Sequence, residues 1–448
     1  MGNSRRFAIL HGQTTRYVAA WDKWYTWNGS RWVDDSMSYV EAKCKLTTLA
    51  IRAEAAAATD SGLAEQTFKW YVKTQGAGAL RNMKQLSKSE PAIAASPNIW
   101  DKDSLLVNCK NGMYHLGRKE FIDHDRDQLC TQIFPVDYAE NSGCPNWLNF
   151  LSMIMEGDEE RVKYLQRVFG YCLTGLVNEE VIFFFIGTGA NGKSTLLSTM
   201  QAIMGNYAKP GAPELLTVTK AGESKHPSSV ADLHKARLAV CQETDKGTFL
   251  SEGLVKAITS QDEIKARYMG KDWFSFMPSH KIIMAANHRP TIRGTDNGIW
   301  RRLHVIPFNV VIPKEEQDKD LKAKLLKEAS GILNWAIEGY YAWKEMGLNA
   351  PAIIKDAVSD YRETMDLLSE FMQDTCIIDK RLLVTLADLY EAYTEFCLSK
   401  GDKTVTRRTF SSMLVERGFT KGRNSAGITI NGLGLASKLD QVLEASPH

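Results

Sequence analysis

Short apolar runs separated by amphipathic stretches dominate the middle of the chain. Four of them, at residues 181–186, 238–241, 281–286 and 303–306, have the length of buried strands. Segments with helical spacing lie between them, so the pattern predicts a parallel α/β sheet. Upstream, Val40, Cys44 and Ile51 recur at helical spacing, as do Phe68, Tyr71 and Val72. Extended stretches follow around 104–107 and 132–136, then helices at 147–155 and 161–173. Near the start, residues 24–27 and 31–33 flank Asn28-Gly29, the signal of a hairpin whose tryptophans pack across the strands. Near the end, Leu386, Leu389, Tyr390, Tyr393, Phe396 and Cys397 mark one helix face. Thr406 is placed to cap a further helix carrying Phe410, Met413 and Leu414, which Gly418 stops. Residues 428–430 then run into a turn at Asn431-Gly432. Helix, helix, β-ribbon is the order of a winged helix.

The expected organisation is an N-terminal hairpin segment (1–35), a mainly helical accessory domain (36–174), an α/β domain (175–350) and a C-terminal helical linker with winged helix (351–448). A chain of 448 residues accommodates that number of domains. Its formal net charge is only +2, so any nucleic-acid surface must be local. The tail offers one: seven basic and two acidic residues lie between Lys400 and Arg423, among them Arg407, Arg408, Lys421 and Arg423. Eight cysteines form no CxxC pair, and Cys109, His115, His124 and Cys130 lack the close spacing of a zinc module. The start reads as no signal peptide, and the longest apolar run is too short to span a bilayer. The expectation is a chain with free thiols and no membrane contact, in the cytoplasm of a prokaryotic or phage-infected cell.

The chemistry centres on Gly187, Thr188, Gly189, Ala190, Asn191, Gly192, Lys193 and Ser194, a full GxxxxGK[ST] match followed by Thr195. An apolar strand precedes it and a helical segment follows, the setting a phosphate-binding P-loop requires. Glycines let backbone N–H groups close on phosphate, and the helix start adds partial positive charge. Lys193 is placed to bridge the β- and γ-phosphates of ATP, and Ser194 to offer a hydroxyl to Mg²⁺. Downstream, residues 237–243 form an apolar strand ending in Glu243, which suits a Walker B acid that polarises water or holds Mg²⁺. Residues 281–287 end in Asn287, a candidate to orient that water. Arg301 and Arg302 precede the strand at 303–306; one of them is a candidate arginine finger. Gly270-Lys271-Asp272 has turn chemistry, and Lys271 on such a tip can touch a phosphate backbone.

Together these motifs resemble the superfamily 3 helicases of phage and plasmid primase-helicases, a group that includes the poxvirus uncoating and replication ATPase. The segments that carry the resemblance are 187–195, 226–243, 256–267, 286–290 and 294–308, with weaker likeness at 7–32, 100–116 and 124–138. The resemblance implies an AAA+-like core, a hexameric ring of identical chains, ATP–Mg²⁺ bound between subunits, and 3′→5′ movement on single-stranded or forked DNA. It also implies that Lys271 contacts DNA and that Arg301 or Arg302 reaches a neighbouring subunit. Lys256 and Arg267 fall at its basic motif positions. Two departures stand out: Gln242 precedes Glu243 where relatives have paired acids, and the usual Thr-Gly-Gly-Asp reads Thr259-Ser260-Gln261-Asp262. Relatives often carry a primase or polymerase domain ahead of these regions, so a separate primase or polymerase is an expected partner. Asp123 and Asp125 resemble a primase metal pair only superficially. An ATP-switched loader of origin DNA, without processive unwinding, is the alternative reading.

Overall fold

The computed structural model describes residues 2–218, 227–242, 248–292, 297–400, 404–425 and 427–436. The chain divides into two compact units, Met1–Tyr138 and Ala139–His448.

The first unit opens with α1 (Gly2–His11), β1 (Thr15–Val18), β2 (Lys23–Trp27) and β3 (Trp32–Asp34). The Asn28-Gly29 turn joins β2 to β3: Gly29 has φ +100, the Asn28 side chain accepts from the Ser30 and Arg31 amides, and Trp27 pairs with Trp32. Trp24 and Trp32 are buried, so the tryptophans do serve packing. Helices α2 (Tyr39–Ala57), α3 (Ser61–Thr74) and α4 (Ala77–Ser87) follow, then β4 (Ala94–Ala95), which completes a sheet of order β3-β2-β1-β4. Val40, Cys44 and Ile51 form the buried stripe of α2. The α3 helix is different, since Leu63, Phe68, Trp70 and Val72 are all exposed. A small antiparallel sheet, β5 (Leu106–Cys109), β6 (Gly112–His115) and β7 (Glu120–Ile122), ends the unit. Residues 132–136 form no ladder; the Phe134 amide is met by the Asn108 carbonyl instead. His115 meets Asp103, and His124 meets Asn108 and the Lys110 carbonyl. Asp125 caps a short 3-10 turn by accepting from the Asp127 amide.

The second unit begins with α5 (Pro145–Ile154) and α6 (Glu159–Cys172). Asp158 caps α6, accepting from the Glu160 and Arg161 amides. Then come β8 (Ile182–Ile186), α7 (Lys193–Met204), β9 (Ala208–Gly211), β10 (Thr217–Val218), α8 (Pro227–Ala231), β11 (Leu238–Gln242), β12 (Phe249–Leu250), α9 (Glu252–Ile258), β13 (Ile264–Ala266), β14 (Phe274–Phe276), β15 (Lys281–Ala286), α10 (Asn297–Trp300) and β16 (Leu303–Pro307). Five of these strands form one sheet of order β16-β8-β15-β11-β9, with every pairing parallel. The four apolar runs are its inner strands and one edge. The fifth strand, β9, contains Pro210 and Gly211, which suit an edge that needs no full ladder.

Helices α11 (Leu321–Leu326) and α12 (Ala329–Met346) return toward the start of the unit. The α6–α12 crossing is close enough that a Cβ on Gly339 would lie 2.0 Å from the Gln166 carbonyl oxygen, and one on Gly170 would lie 2.1 Å from the Tyr340 nitrogen. After α13 (Ala352–Thr375) the chain forms β17 (Cys376–Thr385), α14 (Leu386–Lys400), α15 (Arg407–Glu416), β18 (Thr420–Asn424) and β19 (Gly427–Leu435). The sheet order here is β17-β19-β18, and Phe371, Leu389, Tyr393, Phe410, Met413 and Leu414 fill the core beneath it. Thr406 caps α15 by accepting from the Thr409 amide, and Gly418 follows the helix at φ +90. The overall class is therefore mixed α/β.

Candidate functional site

In a parallel sheet all strands finish at the same edge, and ligands bind where the loops leave it. Here β8 ends in the glycine loop, β11 ends in Gln242 and β15 runs into Asn287. Register brings these ends together: Ile186 is opposite Ala286, and Gln242 is opposite Ala285.

The loop turns tightly on Gly189 (φ +107), Ala190 (φ +49) and Gly192 (φ +81). At Gly187 space is the issue: a Cβ there would lie 2.3 Å from the Phe308 carbonyl oxygen. Asn191 is buried and donates to that same carbonyl at 3.3 Å, tying the loop to the end of β16. The Ile312 amide donates to the Ala190 carbonyl at 2.7 Å, fixing the other side. Thr188, Ala190 and Ser194 are exposed, with Thr195 half-buried beside them.

Lys193 opens α7 and is 6% exposed. Its Nζ donates to the Gly187 carbonyl at 2.5 Å and lies 3.5 Å from Asn287 Oδ1. Both partners are neutral, and burial alone draws its pKa down to about 8. Among the described residues no carboxylate meets this buried ammonium, and at the N-terminus of a helix it is arranged to receive an anion.

These groups line a cleft of about 770 Å³. Its other walls come from segments that sequence reasoning did not single out. Asn146, Asn149, Phe150 and Met153 belong to α5; Ile312, Lys319 and Lys324 come from the stretch after β16. No local motif announces them. A Cβ on Gly192 would lie 2.5 Å from Ile154, which shows how closely α5 covers the loop. Gln242 lines the cleft, while Glu243 lies outside the described residues. Among the described residues no three His, Cys, Asp or Glu side chains gather as a metal site.

Arg301 and Arg302 are not at this edge. They precede Leu303, which pairs with Ile182 at the start of β8. Five strand residues at ~3.3 Å each place them roughly 17 Å from the glycine loop, at the opposite edge of the sheet. They also differ from each other. Arg302 has a side chain only 10% exposed and meets Glu180 at 3.0 Å; Arg301 is 67% exposed and 3.8 Å from the same carboxylate. Lys271 sits at an exposed hairpin tip between β13 and β14, at the turn where its amide donates to the Tyr268 carbonyl. Arg407, Arg408, Lys421 and Arg423 are exposed on α15 and β18. No helix among the described residues is long and apolar enough to cross a membrane.

Comparison with known proteins gives two family matches. Residues 4–156 match the family described as D5 N terminal like, and residues 185–302 match a family of unknown function, DUF5906. The chain is 26% identical over 329 residues to “Putative helicase L207/L206” of Acanthamoeba polyphaga mimivirus, covering 68% of this chain and 34% of that protein. It is 24% identical over 271 residues to “Putative helicase 022R” of Frog virus 3 (isolate Goorha), covering 56% and 28%. It is 26% identical over 181 residues to “Putative primase C962R” of African swine fever virus (isolate Tick/Malawi/Lil 20-1/1983), covering 40% and 18%. The chain thus spans about a third or less of the length of these relatives. Among solved structures, the apo C terminal region of NrS-1 aligns over 97% of this chain and 100% of its own, at 10% identity and a TM-score of 0.47. A D5 N terminal like region thus precedes a DUF5906 region that takes in most of the glycine-loop sheet, an order consistent with the C-terminal module of a phage or viral primase-helicase.

Proposed function

We propose that this chain is an ATP-driven DNA helicase motor of superfamily 3. In this reading it assembles with identical copies into a ring, a hexamer by family resemblance, and moves 3′→5′ on single-stranded DNA at a fork. The observation that carries the reading is the cleft at the end of β8. A buried lysine whose partners are neutral faces an open volume at a helix N-terminus, which matches the demand of a nucleotide triphosphate. Residues 187–195 would cradle its phosphates, and the exposed Ser194 hydroxyl would be one ligand of a Mg²⁺ that neutralises phosphate charge. Glu243 follows β11 directly in sequence and would polarise water with Asn287, the residue after the adjacent strand.

Three further features support the motor rather than a bare nucleotide binder. The all-parallel five-stranded sheet suits an AAA+-like P-loop core. Arg301 lies at the edge away from its own cleft, so the phosphate it can reach belongs to a neighbour. The last domain, with strands 376–385, 420–424 and 427–435 around α14 and α15, has the element order of a winged helix with Arg407, Arg408, Lys421 and Arg423 outermost. A separate primase or polymerase would supply primers.

Strand separation on a forked DNA with a 3′ single-stranded tail tests the reading, with ATP and Mg²⁺ and with Lys193→Ala as control. Unwinding by the unaltered chain alone is expected. ATP hydrolysis by an assembled ring without unwinding would overturn the motor in favour of an ATP-switched loader of origin DNA.

A further inference from the structure

The β13–β14 hairpin has two unlike faces. Register sets them: Ile264 is opposite Phe276, Lys265 opposite Ser275, and Ala266 opposite Phe274. Side chains alternate along a strand, so Ile264, Ala266, Phe274 and Phe276 share the inner face, and Tyr268 continues it past the strand end. That face is clamped to the body. Tyr268 stacks on Phe274 with centroids 5.4 Å apart, Phe274 stacks on Phe276 at 5.8 Å, and His234 lies against both phenylalanines at 5.3 and 5.2 Å. The Tyr268 hydroxyl donates to the Ala231 carbonyl at 3.1 Å. An aromatic stack of this kind makes the hairpin a rigid projection rather than a loose loop.

The outer face carries Lys265, Arg267, Trp273 and Ser275. Trp273 is 58% exposed, and the Arg267 guanidinium lies over its ring at 5.0 Å. Lys271 and the 79% exposed Met269 stand at the tip. Cations outnumber acids here, with Lys265, Arg267 and Lys271 against Glu263 and Asp272. A large indole on a strand that already has an inner face has no packing reason to point outward. Interleaved with cations, it has the chemistry of a platform on which bases stack while phosphates meet lysine and arginine.

We infer that Trp273, backed by Arg267, is a base-stacking platform for single-stranded nucleic acid on the outer face of this hairpin. The inference rests on the nucleic-acid motor reading and adds to the Lys271 tip a second kind of contact. Lys271 meets backbone charge, whereas Trp273 meets the bases. Arg267 thereby gains a role within its own subunit, orienting the indole.

The test is binding of a fluorescent oligo(dT) to the full chain, followed by anisotropy over a range of salt without ATP. It is run in the unaltered background and with Arg407→Ala and Arg408→Ala, so that tail contacts do not mask the hairpin. Trp273→Ala is expected to weaken binding roughly 5- to 150-fold with the salt slope unchanged. Lys271→Ala is expected to lower the log–log salt slope by about 0.7. Trp273→Phe keeps a ring and should keep most of the affinity, which separates stacking from misfolding. Affinity of Trp273→Ala within twofold of the parent overturns the inference, as does a loss that Trp273→Phe shares in full. Unchanged DNA affinity with an altered oligomer mass would assign the face to contact between copies instead. Should the chain bind DNA through Trp273 yet fail to unwind forks, the platform stands and the motor reading falls. Should it unwind forks with Trp273→Ala binding normally, the reverse holds.

Discussion

Lys193 and Lys281 are both buried lysines at the same sheet, Lys193 on the helix that follows β8 and Lys281 at the start of β15, by its opposite edge. Loss of solvent draws both below the ordinary lysine range, Lys193 to about 8 and Lys281 to about 7. Both donate to backbone carbonyls. The difference lies in what surrounds them. Lys281 donates to the carbonyls of Thr174, Leu176 and Ser279 and sits over the Tyr171 ring at 5.0 Å. With Arg237, which donates to the Leu173 carbonyl at 2.5 Å, it caps the end of α6. Lys193 has two neutral partners and an open cleft beside it. A perturbed lysine is therefore no sign of a site by itself; one whose neighbours leave a space for an anion is.

The largest effect expected from this contrast concerns the two arginines, which repeat it on the surface. Arg302 donates to Glu180 and to the Gly298 carbonyl; Arg301 extends into solvent. Arg301→Ala should lower steady-state ATP hydrolysis by ~10³-fold or more with an unchanged unfolding midpoint. Mixing it with Lys193→Ala chains should restore part of the rate, since one mutant supplies the arginine and the other the intact cleft. Arg302→Ala should instead lower stability by about 1.5–3 kcal/mol, the value of a hydrogen bond to a charged group. Equal rate losses for both, with no recovery on mixing, would break the assignment.

Next in size is the lysine pair itself. Lys193→Ala should reduce hydrolysis by ~10²–10³-fold and leave the fold in place. Lys281→Met should do the converse: each carbonyl left without its donor is worth about 1–3 kcal/mol, at about 2–4 °C in midpoint per kcal/mol. Removing a desolvated charge offsets part of that, but several acceptors lose a donor at once. Thermal unfolding followed by circular dichroism, with hydrolysis measured well below the midpoint, separates the two. A Lys281→Met chain that keeps its midpoint would show that the capping of α6 is dispensable.

How far the sequence revealed this follows from the range of the interactions. The glycine loop was legible because its residues are adjacent and their chemistry is local. The four inner and edge strands were legible because each is apolar throughout. The edge strand at 208–211 was not, because Pro210 and Gly211 argue against a strand until a neighbour supplies the ladder. Residues 132–136 look extended but form no ladder. Phe68 and Val72 have helical spacing, and the helix is there, but periodicity did not say that its apolar side would be exposed. The far wall of the cleft was hidden for a different reason. Phe150 and Ile312 reach the loop from about forty residues before it and over a hundred after it, in a unit that also holds the α6–α12 crossing at Gly170 and Gly339. Nothing in a local pattern encodes such a crossing. The hairpin was half legible: the turn at Lys271 showed, while the two-faced alternation that exposes Trp273 emerged only from register.

The smallest effect sharpens the comparison most, because it isolates the charge of Lys193. Its folded pKa is lowered, from 10.5 to about 8, so between those values the unfolded chain binds the proton that the folded chain gives up. Stability of the nucleotide-free protein therefore gains a contribution as pH rises through that window, and below about 8 the lysine is protonated in both states. Binding a triphosphate reverses the balance, since phosphate charge favours the ammonium and raises its pKa again. Nucleotide binding near pH 9 should then take up close to one proton. Affinity should weaken by up to about tenfold per pH unit above 8, the limit for one coupled proton. Calorimetry in buffers of different ionisation heat measures the uptake directly, with a nonhydrolysable triphosphate as ligand. The term should vanish in Lys193→Ala and persist in Lys281→Met. Proton uptake that persists without Lys193 would mean that another group meets the phosphate, and the contrast between the two buried lysines would lose its meaning.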